Sequence, residues 1–162
     1  MGPVEGRRVV VALALTAVVA AGCGSSSSSS ELSKQQLASR ANAICTSFKP
    51  KIAAVKTPSD VLTNPTSAAR YFDQIAPLYD QAVAELKKLK PASSVQGQWN
   101  EMLARFGGVT SLIDRLKANA DKGQRSGAGL LSQVVPRANA ADAAAGKIGA
   151  TACGSSGIAP GG

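Results

Sequence analysis

The sequence predicts an all-α domain folded as an antiparallel four-helix bundle. Three observations lead there. Apolar residues recur at alternating steps of three and four in four successive segments, the period of a helix with one buried face. No segment alternates strictly between apolar and polar, as a half-buried strand does. The connectors are short and rich in Pro, Gly, Asn and Asp, so consecutive helices turn back on one another.

The first helix is expected from about Ser33 to Lys56. Ser33 followed three residues later by Gln36 has the form of a capping box. Leu37, Ala41, Ile44, Phe48, Ile52 and Val55 form its stripe, with Cys45 at the edge. Thr57 to Thr66 is a connector, with Pro58, Asp60, Asn64 and Pro65 as breakers. The second helix is expected from about Ser67 to Leu89 on the stripe Ala68, Phe72, Ile75, Tyr79, Ala82, Leu86 and Leu89, widened by Tyr71, Leu78 and Val83.

Pro91 ends that helix, and Ser93 or Ser94 is placed to cap the third. Val95, Trp99, Met102, Phe106, Val109, Ile113 and Leu116 repeat the spacing, with Leu103 and Leu112 beside them. Successive inward positions make Trp99, Phe106, Phe72 and Ile113 the expected core. Asn119 to Gly129 reads as a polar turn. The fourth helix, about Leu130 to Ile148, keeps register through Leu131, Val134, Ala138, Ala141, Ala145 and Ile148, and Gly149 is its expected C-terminal cap. A repeat near 3.5 residues in all four segments favours left-handed packing.

The N-terminus has a different character. Arg7 and Arg8 precede the apolar run Val9 to Ala21, which is too short to span a bilayer, and Gly22, Cys23 and the serines Ser25 to Ser30 follow. A short basic stretch, an apolar stretch and small residues before a cleavage point make a secretory signal. Ala20, Ala21, Gly22 and Cys23 resemble the lipobox of bacterial lipoproteins. That resemblance implies a diacylglyceryl group on the Cys23 thiol, cleavage before Cys23, and an extracytoplasmic domain held on the cell membrane. Ordinary secretion is the plainer alternative, with Val19 and Ala21 as the small residues before the cut. The chain then divides into a signal peptide (1–22), a lipidated cysteine and serine-rich linker (23–30), a helical domain (31–153) and a flexible tail (154–162). The alanine-rich, histidine-free domain resembles small actinobacterial lipoproteins, a resemblance that brings no activity with it.

If Cys23 carries lipid, Cys45 and Cys153 remain, in a compartment where disulfides persist. A bridge between them is the expected state. The competing readings are a buried thiol and a metal site, and zinc is disfavoured where two thiols stand alone without histidine. Length adds a condition. Cys45 lies twelve residues past Ser33, about 18 Å up its helix at 1.5 Å per residue. Cys153 must therefore meet it above the base of the bundle. Either the fourth helix is short or offset, or Gly149 to Cys153 folds back.

Removing Arg7, Arg8 and Glu5 from 18 basic and 10 acidic residues leaves 16 and 9, a net charge of +7. Such an excess suits anionic surfaces such as lipid headgroups or envelope polymers. Nucleic acid is not an expected partner for an exported domain. Lys87, Lys88 and Lys90 cluster at the end of the second helix and are the first candidates for an anionic contact; Arg115 and Lys117 fall at the opposite end. The plain alternative is a solvated surface.

The inventory for chemistry is thin. There is no histidine, no grouped set of carboxylates, no phosphate loop and no nucleophile elbow. No catalytic residue, metal ligand or cofactor is assigned. Tyr71, Tyr79 and Trp99 lie on the stripes, where aromatics are ordinarily core, and their polar atoms could alternatively line a ligand cleft. Pro50, Pro77 and Pro136 fall inside expected helices. Each kinks a helix and opens a cavity, or marks a helix drawn too long. Gly107-Gly108 is a weak point or a close approach of neighbours. The expected function is a membrane-anchored, non-enzymatic interaction or structural module, with another envelope protein or an anionic polymer as partner. The alternative is a carrier of a lipid or small apolar molecule between kinked helices.

Overall fold

The computed structural model describes residues 31–125 and 128–154. The expected signal peptide, Cys23, the serine linker and the tail beyond Gly154 lie outside the described residues. The protein is a helical bundle of four principal helices: α1 (Lys34–Ala54), α2 (Pro65–Lys87), α3 (Ser93–Asp121) and α5 (Val134–Ile148), with the single turn α4 (Ala128–Leu131) before α5 and a short 3-10 turn, Thr151–Cys153, after it. Neighbours run antiparallel. Lys117 reaches Asp73 between α3 and α2, and Arg137 and Lys147 of α5 reach Gly108 and Glu101 of α3 in reverse order.

Each boundary has a local cause. Ser33 and Gln36 form the reciprocal capping box at the start of α1. Helix α2 begins two residues earlier than its apolar stripe suggests. The Asn64 side chain accepts from the N–H groups of Thr66 and Ser67, and Pro65 takes the first helical position, where its missing N–H costs nothing. Ser93 and Ser94 do not cap α3. Its cap is Ala92, without a side-chain bond, because the chain there is held from outside. Leu32 N–H donates to Lys90 O at 2.7 Å, and Ala92 N–H donates to Leu32 O at 2.9 Å. This one-residue bridge clamps the start of the domain to the α2–α3 connector.

The expected fourth helix is broken at Ser132 and Gln133. Their side chains both donate to the carbonyl of Gly129, taking an acceptor that a continuous helix would use. Pro136 consequently falls in the first turn of α5, where proline does not disrupt, whereas Pro50 and Pro77 lie inside α1 and α2. Gly149 adopts φ +88° as the left-handed cap of α5. The chain then folds back, and the 3-10 turn runs up along α1. Cys153 meets Cys45 with a Cα–Cα separation of 5.0 Å, and the disulfide is present.

Two apolar clusters fill the bundle. The basal one joins Leu32, Leu37, Ala41, Leu86, Trp99, Met102 and Ile148 with the alanines of α5 and Cys153. The distal one joins Phe48, Ile52, Phe72, Ile75, Leu112 and Leu116. Trp99 and Phe72 are buried as expected, whereas Phe106 and Ile113 are half-buried. The second half of α3 loses α5 as a neighbour and gains only the short α4, so its buried face turns to Leu112, Leu116 and Ala120.

Candidate functional site

The basal end is built by four chain segments. Helices α1 and α3 start there, and α2 and α5 finish there. Their macrodipoles oppose one another, so side chains decide the sign of the surface. Lys87 is the last residue of α2, and Lys88 and Lys90 lie in the connector; all three are exposed. Lys88 pairs with Glu85. Among the described residues, no ion pair involves Lys87 or Lys90. Lys34, in the first turn of α1, is also exposed. The backbone of Lys90 holds Leu32, which is only 5% exposed. The lysine cluster and the point where the N-terminal segment joins the bundle are therefore the same place. Sequence reasoning found the lysines and missed this coincidence, because Leu32 precedes the first helix and belongs to no stripe.

Of the other cationic pair, Arg115 is exposed and Lys117 is neutralised. Lys117 lies 2.8 Å from both Asp73 and Asp121, and those carboxylates hold its ammonium well above the ordinary lysine pKa, Asp121 foremost. Its charge is spent within the protein.

The three aromatic candidates are not brought together. Trp99 is 1% exposed in the basal cluster. Tyr71 packs edge-on to Phe72 at 5.3 Å beside the distal cluster. Tyr79 alone borders an apolar cleft, with Phe48, Ile52, Phe106 and the disulfide. Burial of Tyr79 raises its phenol pKa, with the nearby Tyr71 adding to the effect, so the hydroxyl stays protonated at neutral pH. The cleft has room for about 30 Å³, one water's share and far below the roughly 300 Å³ of a small-molecule site. A wider depression of about 600 Å³ on the α1–α2 surface, by Ser47, Lys51, Gln81 and Glu85, is open to solvent.

Among the described residues there is no group of three or more His, Cys, Asp or Glu placed to hold a metal ion, and no polar or charged residue is buried. No helix among them is long and apolar enough to cross a membrane. Asn42 was not singled out by sequence: its amide donates to Gly149 O at 3.0 Å and accepts from Ala152 N–H at 2.8 Å, securing the fold-back. Comparison with known proteins gives no matching family model, no match among curated proteins and none among solved structures.

Proposed function

We propose that the protein is an extracytoplasmic lipoprotein anchored to the cell membrane through Cys23, and that its bundle is a non-enzymatic interaction or structural module of the envelope. The division of the three cysteines carries the reading. Cys45 and Cys153 are bridged, which suits an oxidising compartment, and Cys23 is left over at the lipobox position behind Arg7-Arg8 and Val9–Ala21. The surface, rather than an interior site, is where such a module works, and a cleft of about 30 Å³ supports that over the carrier reading. Metabolic labelling with a fatty-acid analogue tests the anchor. Wild type should be labelled and Cys23→Ser should not. An unlabelled wild type whose mature N-terminus is Gly22 refutes it.

A further inference from the structure

Resting on the lipid-anchor reading, we propose that the basal end of the bundle is turned to the membrane. Lys87, Lys90 and Lys34 there contact the anionic phosphate headgroups of the leaflet that holds the anchor. The bundle then stands on this end rather than lying along the surface or hanging free.

The first argument is geometric. The bridge between Leu32 and the Lys90–Ala92 backbone fixes where the chain joins the domain. Nine residue steps separate Cys23 from Leu32, and covalent geometry limits them to about 32 Å at most. Helix α3, with 29 residues, rises about 44 Å from the base. Lys122, just beyond its end, is therefore out of the anchor's reach in an inverted orientation, whereas the basal lysines reach the leaflet with a wide range of tether spans.

The second argument is electrostatic. At physiological salt a surface potential decays over about 8 Å, so only charges at the touching end feel the leaflet. Lys87 and Lys90 have no ion-pair partner among the described residues, while Glu85 offsets Lys88 and two carboxylates occupy Lys117. The helix dipoles oppose one another at this end, and Lys34, Lys87, Lys88 and Lys90 outnumber the carboxylates Glu31 and Glu85, so the side chains leave it net positive. Each lysine at an anionic surface changes occupancy of the contact by about fivefold. The anchor supplies proximity, and the lysines supply orientation.

Amine labelling tests this directly. The mature chain, purified from membranes, is reconstituted into vesicles of phosphatidylcholine alone or with phosphatidylglycerol. It is then treated with a water-soluble amine reagent and read by peptide mass spectrometry, and the N-terminal peptide reports acylation. Lys87 and Lys90 should label about fivefold more slowly on the phosphatidylglycerol vesicles at low salt, recovering at high salt. Lys56 and Lys122, at the far end, should label alike on both. The double variant Lys87→Gln/Lys90→Gln should lose most of the protection of Lys34. Equal labelling of the basal lysines on both vesicles overturns the orientation while an acylated N-terminus leaves the anchor standing. Equal protection of Lys56 and Lys122 means that the bundle lies flat and also overturns it. Protection that appears only when a soluble anionic polymer is added assigns the lysines to that polymer instead. An unacylated N-terminus overturns anchor and orientation together.

Discussion

Breaking the Cys45–Cys153 bridge should be the most damaging single covalent change to this domain. The two residues are 108 apart in sequence, so the cross-link closes nearly the whole described chain into a loop. In the chain-entropy model a loop of that length restricts the unfolded ensemble by about 4.8 kcal/mol. For a domain of this size that corresponds to about 15–20 °C in melting temperature. Two perturbations separate the cross-link from its packing. Reduction keeps both sulfurs in place, and Cys153 Sγ, 3.4 Å from the Ala41 carbonyl, then gains a proton to donate to it. The variant Cys45→Ala/Cys153→Ala removes the sulfurs as well, and the site of Cys153 is only 2% exposed, so it should lose a further ~1 kcal/mol to poorer packing. Urea unfolding followed by far-ultraviolet circular dichroism reads both. The reduced and variant proteins should also show a steeper denaturant dependence, because an unlinked unfolded chain exposes more surface. A reduced protein within about 1 kcal/mol of the oxidised one would refute the reasoning, since the restraint would then not act on the unfolded state.

Two other perturbations probe the core and a helix start. Trp99, 1% exposed in the basal cluster, should cost about 3–5 kcal/mol when replaced by Ala; Ile113→Ala, at a half-buried site, should cost visibly less in the same urea titration, and equal costs would contradict the observed register. Asp60 accepts from the Asn64 amide and the Ser67 hydroxyl, and these bonds, Asn64 first, hold its carboxyl below the ordinary 3.8. A depressed folded pKa adds stability above the unfolded value and loses it as acid protonates the group. The stability gap between wild type and Asp60→Ala should therefore be full at neutral pH and close below about pH 3.8; a gap unchanged by acid would show that the carboxylate charge is not what matters.

Local chemistry was legible wherever one residue type has one strong preference. The Ser33–Gln36 box, the break at Pro91 and the cap at Gly149 follow from backbone rules that operate within a few residues. The starts of α2 and α3 were not, because distant or nearby partners moved them: Asn64 with Pro65 in one case, Leu32 in the other. Register along α3 was half legible. Its stripe describes the first half, where α2 and α5 flank it, and fails where the flanking element shrinks to α4. The disulfide pairing was readable by elimination, but the means of reaching it was not. The fold-back depends on Asn42, whose polar side chain on α1 carries no signal until Gly149 and Ala152 are seen beside it.

The candidate site shows the same division. The lysines are visible in sequence; their meaning comes from where the chain enters. Helix α5 explains why that entrance must be firmly made. Its buried face is Ala141, Ala144, Ala145 and Ile148. A buried methyl contributes on the order of 0.8 kcal/mol, so three alanines hold a helix weakly compared with three leucines. What α5 gains from alanine is close approach, and its closure is completed by Ile148 near its end and, further up α1, by the Asn42 bonds and the disulfide. The same basal layer receives Leu32 and the α2–α3 connector. Leu32 and Cys153, near the two ends of the described chain, thus pack into one and the same cluster. A pull transmitted through the proposed N-terminal anchor would act first on Leu32, which is secured by two backbone hydrogen bonds and burial beside Trp99 and Ile148, and only then on the helices. An end that receives the N-terminal segment and carries the exposed Lys34, Lys87 and Lys90 is the end that the proposed anchor would hold against a surface.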